Sequence, residues 1–201
     1  MAAAAAFGTA TLHEAAGKIG ALPAAIKPVA PSFRLCGPAF TVDGPGGDNL
    51  WLHRAIAAAS PGDVLVAAVG DAFEFGYWGE IMSTAAHARG LAGLVINGCV
   101  RDGALLESIA FPVFARGLAI RGTGKDFGAT GWLDAPLLIG DVVVAPGDLI
   151  VGDVDGVVAL PATQVAKTIL AARERERREA AVLERLRAGE TTLEIYGWAK
   201  D

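Results

Sequence analysis

The stretch Asp63-Val-Leu-Val-Ala-Ala-Val69, a glycine- and aromatic-bearing loop to Trp78, a segment over 81–89 and then Leu94-Val-Ile-Asn97 together decide the fold class. The two outer runs are short and continuously apolar, the pattern of strands covered on both faces. The segment over 81–89 reads as a helix, with Gly90 as its C-terminal stop. Strand, helix and strand joined by short connections favour a right-handed crossover between parallel strands. The expected fold is therefore layered α/β.

Similar punctuation continues on both sides. Residues 39–42 read as a strand, preceded by an irregular crossing over 23–38 that holds four prolines. Asp48 or Asn49 can cap a helix carrying Leu50, His53, Ile56 and Ala57 on one face, stopped by Ser60-Pro-Gly62. A lone histidine on such a face reads as a packed residue, so His53 is not assigned to catalysis. Downstream come a short helix over 104–109 and strands over 113–115, 137–139, 142–145 and 157–160. Asp141, Pro146-Gly-Asp148 and Asp153-Val-Asp-Gly156 fit tight turns between them. A long helix over about 162–188 closes the chain and breaks at Gly189. Near the start, Thr11 fits a helix cap with Glu14 as its capping-box partner.

A chain of 201 residues, 53% of them hydrophobic, has enough apolar surface for one buried core, so one domain over 1–201 is expected. Charge, glycine or proline interrupts every apolar run before the roughly 18 residues of a membrane span, so no membrane association is expected. The opening Met1-Ala-Ala-Ala-Ala-Ala-Phe7 lacks the basic leader of a signal peptide and reads as a frayed or helix-leading terminus. With only Cys36 and Cys99, no disulfide framework is indicated and a cytoplasmic location is expected. A net charge of −5 offers no general attraction for nucleic acid. The charge-dense Arg173-Glu-Arg-Glu-Arg-Arg-Glu179 alternates in sign as a solvated helix face does.

Two features fall at the ends of the central strands. Gly76-Tyr-Trp-Gly-Glu-Ile-Met82 is a glycine-bearing turn running into a helix. The backbone amides of Gly79, Glu80, Ile81 and Met82 are thereby left without helical partners, which suits a carboxylate or phosphate. Asn97-Gly-Cys-Val-Arg-Asp-Gly103 sets Arg101 and Asp102 just past an apolar strand, where α/β sheets bind ligands. The pair fits mutual neutralisation or a cap on the next helix as well as a site. Together the features offer amides for a substrate carboxylate, a carboxylate for a hard cation, and a guanidinium for developing oxyanion charge. A 2-oxo acid chelates Mg²⁺ or Mn²⁺ through a carboxylate oxygen and its keto oxygen, so enolate chemistry is possible without a Schiff-base lysine. Cys99 adjoins this region without an evident base and is not read as a nucleophile. Tyr77 and Trp78 read as packing or pocket wall.

An acidic residue, twenty intervening residues, then Arg-Asp, here Glu80 and Arg101-Asp102, resembles the class II 4-hydroxy-4-methyl-2-oxoglutarate and 4-carboxy-4-hydroxy-2-oxoadipate aldolases and the related RraA-like ribonuclease regulators. That family's usual acid at the first position is Asp. The likeness extends to Asn49-Leu-Trp-Leu-His-Arg54, Phe111-Pro-Val-Phe-Ala-Arg-Gly117 and Pro146-Gly-Asp-Leu-Ile150, and it covers nearly the whole chain. It implies a layered α/β/β/α sandwich of the swivelling type, assembled as a homotrimer or homohexamer with active sites between subunits. It implies that Asp102 holds the divalent metal and that Arg101 contacts the keto oxygen of bound pyruvate, whose carboxylate the 79–82 amides receive. By the same resemblance, Glu14 of a neighbouring subunit approaches the site and positions the water that shuttles protons, although Glu14 is equally explained as a cap. Thr123 and Lys125, in Arg121-Gly-Thr-Gly-Lys125, would face the distal part of the substrate, although a solvated loop lysine explains Lys125 equally. The implied activity is aldol cleavage of 4-hydroxy-2-oxo dicarboxylic acids to pyruvate and a second oxo acid, with oxaloacetate decarboxylation through the same enolate. The alternative is a non-catalytic regulator that binds a ribonuclease or helicase. Methyl transfer is set aside, because no Gly-rich strand-to-helix loop with a following acid appears in the order a nucleoside cofactor needs.

Overall fold

The computed structural model describes residues 2–198; Met1 and residues 199–201, the ends of the domain expected over 1–201, lie outside the described residues. The strands are β1 (Lys27–Pro28), β2 (Leu35–Asp43), β3 (Val64–Ala68), β4 (Gly93–Ile96), β5 (Cys99–Val100) and β6 (Val113–Ala115). They continue with β7 (Gly117–Leu118), β8 (Trp132–Leu133), β9 (Leu137–Ile139), β10 (Val142–Val144), β11 (Leu149–Asp153) and β12 (Gly156–Leu160). The helices are α1 (Thr9–Ala15), α2 (Leu50–Ala58), α3 (Glu80–Ala88), α4 (Gly103–Ile109), α5 (Val165–Arg187) and α6 (Thr192–Tyr196).

The main sheet runs β1-β6-β4-β3-β2-β11-β12, with β8 also paired to β2. Its centre is parallel: β2 pairs β3, β3 pairs β4 and β4 pairs β6, linked in turn by α2, α3 and α4. The α/β class read from the sequence is the class observed. Val64, Leu65, Val66, Leu94, Val95 and Ile96 are fully buried, as the unbroken apolar runs require. Each such side chain contributes about 1.5–3 kcal/mol of transfer free energy.

Strands β11 and β12 face two ways, because side chains alternate along a strand. Ile150, Val157 and Ala159 join the main core with β2–β6 and helices α2–α4. Leu149, Val151, Val158 and Leu160 instead pack on Phe7, Leu12 of α1 and Ala172 of α5. Helices thus cover both outer surfaces, which accords with the layered sandwich.

Three expectations need correction. Strand β2 begins at Leu35 and passes through Pro38, where an irregular crossing was expected. Ala39 donates to Asp148 on the β11 side. The N–H missing at Pro38 therefore falls on the other side, where the β3 ladder starts only at Ala39 opposite Val64, so no bond is lost. Second, β11 fills a stretch left unassigned between two turn motifs, because Gly152-Asp153 resembles a turn although it pairs with β12 and β2. Third, α1 starts at Thr9, so Thr11 lies inside it and caps nothing. The cap comes from β11: Asp153 accepts from the Thr9 amide at 2.8 Å and the Thr9 hydroxyl at 2.7 Å.

Candidate active site

The turn before α3 is held by its neighbours. The Gly76 amide donates to the Arg121 carbonyl at 2.8 Å, that of Tyr77 to Cys99 at 3.1 Å, and that of Arg101 to Trp78 at 2.8 Å. The chain at 76–78 therefore lies along 99–101. Trp78 is fully buried, stacks on Phe111, and donates its indole N–H to Ser83 at 2.7 Å. Tyr77, also fully buried, donates its hydroxyl to the Ala72 carbonyl at 2.6 Å and accepts from the Gly47 amide at 2.8 Å. Both aromatics anchor the turn, and both also line the cavity described below.

Asp102 precedes α4 and makes no side-chain cap there, because its left-handed backbone (φ 62°) turns the carboxylate away. An aspartate tolerates that conformation. Its Oδ2 instead accepts from the Glu80 amide at 3.1 Å, the first amide of α3. Arg101 Nε lies 3.8 Å from the same oxygen, and both side chains are partly exposed. Of the readings open to this pair, a cap on the following helix is not what forms. A Cβ on Gly79 would meet Asp102 Oδ2 at 2.3 Å, so only glycine admits this carboxylate. Gly76 is equally confined, between the Ala119 carbonyl and the Arg101 side chain. Within α3 the amides of Ile81 and Met82 have no carbonyl partner, since they belong to the first turn.

These groups line a cavity of about 270 Å³. Asn49, just before α2, His53 one turn into it, and Lys125 complete the lining. Buried Asp48 clamps the Lys125 loop onto the start of α2. Its Oδ1 accepts from Leu50 at 2.7 Å while its Oδ2 accepts from Asp126. Gly124 adds bonds to Gly47 and Asn49, so Lys125 is fixed between anchored neighbours. Asn49 Nδ2 donates to the Tyr77 carbonyl at 2.9 Å and contacts Met82 Sδ, leaving its buried Oδ1 without a partner among the described residues. Burial pushes the His53 pKa down and the Lys125 ammonium adds to this, against a smaller opposing effect of Asp48. The imidazole is accordingly neutral at pH 7.

The structure thus brings Gly79, Glu80, Ile81, Met82, Arg101, Asp102 and Lys125 together around one cavity. Thr123 is partly buried and does not line it. Glu14 lies apart on α1, 3.6 Å from Arg175 and 4.0 Å from Lys18. Burial raises the Cys99 thiol pKa, with Glu74 adding to the rise and Arg116 opposing it, which keeps the sulfur from being a ready nucleophile. Asn49 and His53 were not assigned from sequence. Their four-residue spacing beside a glycine turn was the available signal.

The donor set can be tested against a divalent cation. Among the described residues no three His, Cys, Asp or Glu side chains group as ligands, so an all-protein cage of the zinc type does not fit. A partly exposed carboxylate with its second oxygen uncommitted does fit Mg²⁺ or Mn²⁺, which keep most of their water and take remaining ligands from substrate.

The family described as RraA-like, Aldolase/RraA, matches residues 9–159. A protein of Halalkalibacterium halodurans named "Putative 4-hydroxy-4-methyl-2-oxoglutarate aldolase" is 36% identical over 178 residues, covering 86% of this chain and 83% of that one. The crystal structure of an uncharacterised Pseudomonas syringae protein superposes with a TM-score of 0.84 at 30% identity, covering 94% of this chain and 89% of the other. The RNA-processing inhibitor RraA from Thermus thermophilus superposes with a TM-score of 0.69 at 26% identity, covering 77% of this chain and 93% of that one.

Proposed function

The chain belongs to the RraA-like family of aldolases and RraA proteins, and from that premise we propose that it is a divalent-metal-dependent carbon–carbon lyase. It cleaves 4-hydroxy-2-oxo dicarboxylic acids to pyruvate and a second oxo acid, and it decarboxylates oxaloacetate. The observation that carries this reading is the convergence of the start of α3, Arg101, Asp102 and Lys125 on one cavity.

The Ile81 and Met82 amides receive the C1 carboxylate of the substrate at the positive end of α3. Glu80 contributes its backbone to this turn. The Arg101 guanidinium meets the keto oxygen and holds the negative charge that gathers there as the C3–C4 bond breaks, leaving the pyruvate enolate. Lys125 takes the distal carboxylate. Asp102 would hold a Mg²⁺ or Mn²⁺ ion, which would supply Lewis acidity to the bound 2-oxo acid. Met82, Tyr77 and Trp78 wall the cavity with apolar surface and limit water around the enolate.

The assembly is a homotrimer or homohexamer in which Glu14 of a neighbouring subunit positions the water that returns a proton to C3. Exposed Ile81 on the cavity wall, with exposed Leu118 and Ile120 nearby in sequence to the Lys125 loop, supports an interface at this face. A second reading, a non-catalytic regulator of RNA processing, is favoured by the likeness to the Thermus inhibitor. Pyruvate release from a 4-hydroxy-2-oxo dicarboxylate, with and without chelator, separates the two.

A further inference from the structure

We infer that His53 is the general base of the aldol cleavage, taking the proton from the C4 hydroxyl of the substrate; this rests on the lyase reading above. A substrate whose carboxylate and keto oxygen sit at the α3 amides and Arg101 extends its C4 end along the same cavity, whose lining also holds His53 of α2 and Lys125. Lys125 and His53 are close enough to influence each other electrostatically, so a carboxylate held by Lys125 brings the neighbouring C4 hydroxyl to the imidazole.

Other acids and bases at the cavity suit this step less well. Glu80 is exposed on the first turn of α3. Asp102 is the proposed metal ligand, and a guanidinium is not a base. Lys125 carries the charge that binds substrate. His53 is partly buried and neutral, with a ring nitrogen able to accept. One helical turn earlier, Asn49 Oδ1 is an acceptor without a partner among the described residues.

The step balances. The hydroxyl proton passes to the imidazole, and the O–H electron pair becomes the carbonyl of the departing oxo acid. The C3–C4 pair moves into the pyruvate enolate, whose C3 is then protonated by water. The imidazolium releases its proton to solvent.

The charged and titratable groups around His53 are Lys125 from the loop, Asp48 before α2, and Tyr77, Glu80, Arg101 and Asp102 in the same cavity lining. Oxaloacetate has no C4 hydroxyl, so its decarboxylation provides an internal comparison. The test measures both reactions against pH for the full chain and for His53→Gln and His53→Asn. In the unmodified chain, aldol cleavage should show an acidic limb with an inflection below the ordinary imidazole value of about 6.5, and decarboxylation should lack it. In both variants aldol kcat should fall about 10²–10⁴-fold, the ratio of aldol cleavage to decarboxylation should fall with it, and the acidic limb should disappear. Aldol cleavage retained in either variant, an equal loss in both reactions, or the same acidic limb in both reactions of the unmodified chain overturns the role of His53. An unmodified chain that decarboxylates oxaloacetate without aldol cleavage also overturns it and leaves the metal-dependent enolate chemistry standing. Turnover of neither substrate overturns the lyase reading and the His53 role together.

Discussion

The Asp102 carboxylate accepts a hydrogen bond from the Glu80 amide at 3.1 Å, across twenty-one residues of intervening chain. One contact joins the end of β5 to the start of α3. In the proposed reaction it therefore sets where a substrate carboxylate, a cation and the Arg101 guanidinium would meet.

Gly79→Ala should separate them. The added methyl would lie 2.3 Å from Asp102 Oδ2, so the carboxylate or the turn must move. Displacement of about 1 Å costs on the order of 10²-fold in rate. Steady-state pyruvate release should fall by that factor while thermal unfolding changes little, because the turn is otherwise held by Trp78 and Tyr77.

Lys125→Met should raise KM for 4-hydroxy-2-oxo dicarboxylates about tenfold, equivalent to about 1.4 kcal/mol, with a much smaller change in kcat. Asp48→Ala should move KM in the same direction, since Asp48 holds the Lys125 loop to α2. The double variant should cost less than the two single effects combined, because both act through one loop. Full additivity in the double-mutant cycle would show that Asp48 does not position Lys125.

Asp153 anchors α1, and its carboxyl is held below the ordinary carboxylate range. Burial pushes the carboxyl up, but bonds from the Thr9 amide and hydroxyl and from the Asp155 amide, with Arg34 nearby, outweigh this and hold it low. A lowered folded pKa contributes stability that is fully present above the unfolded value of about 3.9 and is lost as pH falls through the folded value. Asp153→Ala should destabilise the chain by about 1.5–3 kcal/mol at pH 7, measured by denaturant unfolding. The gap from the unmodified chain should narrow as pH falls below about 4.

The parallel centre was legible because β3 and β4 are unbroken apolar runs and Gly90 ends α3 between them. The first half of β2 was hidden by Pro38, whose missing N–H is harmless only once the β3 register is known. Strand β11 was hidden because Gly152-Asp153 carries turn chemistry locally and a buried helix anchor in three dimensions. Arg101, Asp102 and the 79–82 residues were singled out by their positions at strand and helix ends, and the fold brings them to one cavity. The left-handed backbone of Asp102 and the reach of Asp48 to Asp126, seventy-eight residues away, are long-range outcomes that no local pattern encodes. For that reason Asn49 and His53 read as ordinary helix residues until the Asp48 clamp closed a cavity around them.

The most direct measurement is pyruvate release by the purified full chain from 4-hydroxy-4-methyl-2-oxoglutarate and oxaloacetate, with Mg²⁺ or Mn²⁺ and again with excess chelator, alongside Arg101→Ala. The account predicts turnover that chelator abolishes and added metal restores, and a loss of about 10²–10³-fold in kcat for a folded Arg101→Ala variant. No pyruvate from either substrate, or undiminished release by Arg101→Ala, would contradict it.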